Sequence, residues 1–75
     1  MEPYLNLSRN SGVCAYELGT DFIRVEFINH SIYRYTQDGV GLENLNKMKE
    51  LARQGHGLST FISQHIKKNY AEKEL

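Results

Sequence analysis

The stretch Ile32-Tyr33-Arg34-Tyr35-Thr36 decides how this chain folds. Its two tyrosines alternate with Ile32, Arg34 and Thr36, the period-two pattern of a half-buried strand. Whether those tyrosines face a core or the solvent fixes which functions are available. The answer depends on the strand before it, Phe22-Ile23-Arg24-Val25-Glu26-Phe27-Ile28. There Ile23, Val25 and Phe27 share one face and Arg24 and Glu26 the other, and two charges cannot be buried cheaply. Asn29-His30-Ser31 reads as the turn between the two strands. A three-residue loop places Ile28 opposite Ile32, Phe27 opposite Tyr33 and Val25 opposite Tyr35, so the tyrosines join the core face. A two-residue loop reverses the parity and turns Arg34 inward. Burying Arg34 unpaired costs several kcal/mol, which favours the first register.

Working outward, Val13-Cys14-Ala15-Tyr16-Glu17-Leu18 reads as an earlier strand, with Cys14, Tyr16 and Leu18 on one face. Gly19-Thr20-Asp21 is a turn signal, as is Ser11-Gly12. The first ten residues carry little pattern, although Tyr4, Leu5 and Leu7 are apolar enough to tack this arm onto the body. After Thr36, Gln37-Asp38-Gly39 breaks the strand pattern, with Asp38 a candidate N-cap. A helix is expected from Val40 or Leu42 to Gln54, its stripe formed by Leu42, Leu45, Met48, Leu51 and Ala52. Gly55 suits a left-handed C-cap, and Gly55-His56-Gly57 turns the chain. A second helix is expected from Leu58 to Tyr70, since Leu58, Phe61, Ile62, His65, Ile66, Asn69 and Tyr70 fall at helical spacing.

The expected fold class is α+β: a three-stranded antiparallel sheet followed by two helices packed on one face, a β-β-β-α-α two-layer sandwich. Seventy-five residues make a single domain. Its core is expected to span about residues 8–70, with residues 1–7 and 71–75 frayed.

Composition narrows the function. Nine basic residues balance nine acidic ones, which argues against strong sequence-independent nucleic-acid binding. A lone cysteine, Cys14, excludes an internal disulfide framework and points to a reducing, cytoplasmic setting. The start lacks the pattern of a signal peptide, and no apolar run approaches the ~20 residues of a membrane helix.

Ala15-Tyr16-Glu17, then Ile23-Arg24-Val25-Glu26-Phe27, Tyr33-Arg34-Tyr35, a helix, and finally Phe61-Ile62 with Ile66-Lys67-Lys68-Asn69-Tyr70 together resemble the KTSC domain. This small family is named for a C-terminal extension of some lysyl-tRNA synthetases and also occurs as free-standing short bacterial or phage proteins. The resemblance covers about residues 8–70 and centres on Tyr33 and Tyr35. Asp38-Gly39 stands where the family often has Val-Pro, and the first helix is about a turn longer here. The resemblance implies a domain of unestablished function, for which the synthetase context suggests RNA.

A nucleic-acid surface would draw on Tyr33 and Tyr35 for stacking and on Arg24, Arg34, Lys67 and Lys68 for phosphate contacts. The plainer reading makes the tyrosines core aromatics and the Arg/Glu face ordinary solvated sheet. It leaves Lys67 and Lys68 to complement a helix dipole. Gly55-His56-Gly57 lacks the full phosphate-loop patterns. His30, His56 and His65 show no metal-ligand spacing with one another or with Cys14; His65 falls on the apolar stripe, where a hydrogen-bonded core-edge role is expected. Cys14, in a strand among apolar neighbours, behaves as a small hydrophobe, and no paired carboxylates suit acid–base work. No catalytic residue, metal or cofactor is therefore expected. The expected role is a non-catalytic binding domain, with RNA as the partner implied by the resemblance. The alternative is association with another protein chain or homodimerisation through a sheet edge.

Overall fold

The computed structural model describes residues 1–6 and 12–75. Leu7 and Ser11, both given roles above, lie outside the described residues. The fold is α+β. Its antiparallel sheet has five strands in chain order, β1 (Glu2–Pro3), β2 (Val13–Leu18), β3 (Phe22–Phe27), β4 (Ile32–Thr36) and β5 (Glu72–Lys73). Between β4 and β5 lie α1 (Gln37–Val40), α2 (Leu42–Gln54), α3 (Leu58–Phe61) and a π-helical turn, Ile62–Ile66. The three central strands are the expected ones. The two ends expected to fray instead carry the two-residue edge strands β1 and β5.

The β3–β4 hairpin settles where the tyrosines point. Phe27 N–H donates to the Ser31 carbonyl at 2.8 Å, so the loop is Ile28-Asn29-His30, one residue earlier than expected. His30, at φ 70°, supplies the left-handed residue that closes such a three-residue loop. Val25 therefore pairs with Tyr33 and Ile23 with Tyr35, a two-residue shift from the expected register. Both loops hold three residues, so the parity is preserved and Tyr33 and Tyr35 still share the face of Ile23 and Val25.

Strand β2 departs further. Its pairing with β3 slips between Val13 and Ala15, a β-bulge at Cys14. The extra residue reverses the alternation, so Val13, not Cys14, enters the core. The Cys14 thiol is left half-buried with Sγ 3.6 Å from the Phe27 carbonyl.

The core joins one face of the sheet (Val13, Tyr16, Ile23, Val25, Tyr35) to the helices through Val40, Leu45, Met48, Ala52, Leu58, Ile62 and Ile66. The expected stripe of α2 holds at Leu45, Met48 and Ala52. It fails at Leu42, which is exposed, because Gly41 (φ 87°, ψ 153°) breaks the chain between α1 and α2 and lets Val40 take the buried place. Asp38 does not cap a helix: α1 starts at Gln37 behind Thr36, and Asp38 lies within its first turn. Lys49 donates to the carbonyls of Gly19 (2.7 Å) and Thr20 (3.0 Å), tying α2 to the β2–β3 turn.

The last helical segment is shorter than expected. It ends at Ile66, where the Lys67 N–H donates to the Ile62 carbonyl at 2.6 Å, the i→i+5 bond of a widened turn. Leu58, Ile62 and Ile66 are buried, whereas His65 is exposed beside the Phe61 ring rather than at a core edge, and Asn69 and Tyr70 lie beyond the helix. Among the described residues, no helix is long and apolar enough to cross a membrane.

Candidate binding surface

The outward face of the sheet carries a row of charges, one residue from each of four strands. Glu17 of β2 pairs with Arg24 of β3, Arg24 with Arg34 of β4, and Arg34 with Glu72 of β5. Two arginines directly opposite each other on neighbouring strands repel, and the acidic residues on either flank offset that repulsion. Arg24 is the hub. Its Nε donates to both Glu74 oxygens at 3.0 and 3.1 Å, its Nη2 to Glu74 Oε1 at 2.6 Å, and its Nη1 to Glu17. Arg34 is held more loosely, with Nη2 3.4 Å from Glu72 Oε1, and its buried Nε has no hydrogen-bond partner among the described residues.

The charge states follow this geometry. Hydrogen bonds to Glu74 and then Glu17 hold Arg24 still more firmly protonated than an ordinary arginine. Hydrogen bonding from Arg24, reinforced by the charges of Arg24 and Arg34, keeps the Glu74 carboxyl below the usual glutamate range despite some desolvation. Docked, Glu74 therefore titrates below its value in a freed tail, and the freed tail takes up a proton first. Acid favours release. The docking contribution is complete above the ordinary glutamate range of ~4.3 and is lost as pH falls through the lowered value. Amide resonances of Ile32 and residues 71–75 are expected to hold steady from about pH 7 to about pH 5. Below about pH 4 they move toward random-coil positions, and Glu74→Gln flattens that response.

The backbone completes the tail's attachment. Ala71 N–H donates to the Arg34 carbonyl (2.7 Å), Glu74 N–H to the Ile32 carbonyl (2.7 Å), and Ile32 N–H to the Leu75 carbonyl (3.0 Å). With Glu72 and Glu74 on the charged face, the strand alternation turns Lys73 to the other side, its Nζ 5.9 Å from the centroid of the Tyr33 ring. Tyr70 completes an aromatic rim at 4.7 Å from Tyr33 and 6.4 Å from Tyr35, with Phe27 5.5 Å from Tyr33.

These positions separate the six residues singled out from sequence. Tyr35 is a core residue, 2% exposed, and burial pushes its phenol up to about 12. Tyr33 is half-buried at the rim, while Arg24 and Arg34 lie on the opposite face. Lys67 and Lys68 are exposed in the turn before Tyr70. Glu72, Lys73 and Glu74 fall in the stretch 71–75 that the sequence pattern marks as frayed. Their one sequence signal is the period-two spacing Glu-Lys-Glu, matching a strand that would set both carboxylates on one face.

Burial, then the Glu26 carboxylate, raises the Cys14 thiol above its ordinary value, the opposite of what activates a thiolate. Among the described residues, no three of His, Cys, Asp and Glu come together as metal ligands. No family model matches the chain, and no curated protein or solved structure does so significantly.

Proposed function

We propose that this chain is a non-catalytic binding domain whose β4 edge accepts an extended acidic segment of another protein chain. The observation that carries the reading is the chain's own tail. Residues 71–75 add a strand to β4 through backbone hydrogen bonds, while Glu72 and Glu74 meet Arg34 and Arg24. Strand addition of this kind draws affinity from the backbone and specificity from alternate side chains. Here the two arginines set the preference for carboxylates spaced two residues apart, and Arg24 engages its carboxylate with a fork of donors. The zero formal charge of the chain suits a local charge match better than a general attraction to polyanions.

The test weakens the internal competitor and offers a replacement. In the Glu72→Gln/Glu74→Gln variant, an extended Glu-x-Glu peptide is expected to shift the amides of Ile32 and Arg34 and the Arg24 side-chain Nε–H. The Gln-x-Gln peptide binds at least about 10-fold more weakly, the loss of roughly 1.4 kcal/mol or more of charge-assisted bonding. A β4 strand that stays silent to both peptides overturns the reading.

RNA, the partner implied by the KTSC resemblance, is the second reading, and one cluster favours it. Tyr33, Tyr70 and Lys73 form an aromatic and cationic rim next to the exposed Lys67 and Lys68. Base stacking there is sequence-tolerant, and the lysines supply phosphate contacts. A short single-stranded RNA at low salt separates the two readings in the same spectra. Shifts at Tyr33, Tyr70, Lys67 and Lys68 with Ile32 unmoved favour nucleic acid.

A further inference from the structure

We propose that the segment received by the β4 edge is residues 70–75 of a second copy of this chain, exchanged reciprocally about a hinge at residues 67–69. The proposal rests on the reading of β4 as a strand acceptor and names its partner.

Three observations converge on exchange. The first is strain in the hinge. Lys67 has φ 54° and ψ −119°, and the Asn69 N–H donates to the Ile66 carbonyl at 3.1 Å. This is the first central position of a type II′ turn, a conformation that belongs to glycine. A lysine held there is strained, and opening the turn relieves it in both partners at once. The second is that the swapped segment is small and self-contained. Beyond the hinge, Tyr70 packs on Tyr33 and Tyr35, Glu72 and Glu74 reach Arg34 and Arg24, and the backbone of 71–75 pairs with Ile32 and Arg34. Each of these contacts can be rebuilt between two chains without a new interface. The third is what release leaves behind. An undocked tail exposes the Ile32 and Arg34 backbone groups and strips the best partner from Arg24, and an edge in that state captures strands. The segment already known to fit it is carried by every other copy.

Competition with the attached tail sets the scale. A tail joined by a few residues acts at an effective concentration in the millimolar range, so the wild-type chain stays largely monomeric when dilute and exchanges as concentration rises. Charge reversal shifts that balance decisively. In Arg24→Glu the tail's Glu74 faces a glutamate, and in Glu74→Arg the tail faces Arg24; each chain repels its own tail and that of its twin. Mixed together, each supplies the tail that the other's edge attracts.

The experiment is light scattering and native mass spectrometry on the two full-length variants, apart and mixed, with amide spectra confirming that each keeps its fold. Each variant alone is expected at monomer mass, the equimolar mixture at the mass of a heterodimer, and the double variant Arg24→Glu/Glu74→Arg back at monomer mass. Adding Lys67→Gly to both chains relaxes the closed hinge and is expected to weaken the heterodimer at least about 10-fold. A mixture that stays at monomer mass overturns the exchange. A parallel titration of the Arg24→Glu chain with a peptide of residues 70–75 carrying arginine at position 74 separates the two claims. Peptide binding without a heterodimer removes the exchange and keeps the acceptor edge, and absence of both removes the acceptor edge as well.

Discussion

Replacing Tyr35 with alanine is expected to lower the unfolding free energy by about 3–5 kcal/mol, the cost of emptying a large aromatic site in a packed core. The ring is 2% exposed, faces Ile23 across the sheet and packs against Tyr70 at the rim. At about 0.05–0.15 kcal/mol per residue, a chain of this size holds roughly 4–11 kcal/mol in all. Tyr35→Ala therefore leaves a domain that is marginal or unfolded at room temperature. The same change at Tyr33 is expected to cost only about 1–2 kcal/mol, because that ring is half-buried and its contacts with Phe27 and Tyr70 are rim contacts. Urea midpoints of the two variants decide the matter. Similar small losses would mean that both rings stand free of the core as a stacking platform.

That contrast shows what local pattern could establish. The face shared by Tyr33 and Tyr35 was legible because Arg24, Glu26 and Arg34 alternate with apolar residues, and a misplaced three-residue loop preserves parity. Which tyrosine is deeper was not legible, since depth depends on the register, and the register turned on one loop residue, Ile28. Strands β2, β3 and β4 and the body of α2 were readable for the same reason: their period is written within a few residues. The bulge at Cys14 was not, because an extra residue is invisible until the partner strand shows where two residues oppose one. Nor was the end of the last helix. Phe61, Ile62, Ile66, Asn69 and Tyr70 keep helical spacing, and no glycine or proline announces the turn at Lys67.

The candidate surface was half legible. Arg24 and Arg34 stood out as charges on the outward face of the sheet, and they do lie there side by side. Their partners did not stand out, because Glu74 is 50 residues from Arg24 in sequence. A charged tail of five residues resembles any solvated terminus. Strand β5 has only two residues and no apolar alternation, so its existence follows from β4's exposed edge and not from its own propensity. The Arg24 guanidinium, engaged by both Glu17 and Glu74, must give one carboxylate up before it meets another anion, and that exchange gains little net charge pairing.

Gly55→Ala is the second substitution expected to cost heavily, about 2–4 kcal/mol. Gly55 closes α2 in the left-handed conformation (φ 73°, ψ 28°), its N–H shared between the carbonyls of Leu51 and Ala52. An alanine there costs about 1–2 kcal/mol for its backbone alone. The rest comes from a neighbour far away in sequence. A Cβ on Gly55 would stand 2.4 Å from the Leu5 Cβ and 3.3 Å from its Cα. Relief requires the N-terminal arm itself to move, since a rotated side chain does not clear a contact so near the backbone. The arm is anchored by Tyr4, buried at 6% exposure, whose hydroxyl accepts the Leu58 N–H at 3.2 Å and whose N–H donates to the Cys14 carbonyl at 3.0 Å. Displacing Leu5 pulls on that anchor and forfeits part of the ~1.5–3 kcal/mol that burying such a side chain contributes. A double-mutant cycle separates the two costs. In a Leu5→Gly background the 2.4 Å contact disappears and only the tight 3.3 Å approach to the Cα remains, so Gly55→Ala should then cost little more than its backbone share of about 1–2 kcal/mol. An equal cost in both backgrounds would mean that the arm yields freely and that Gly55 serves the helix cap alone.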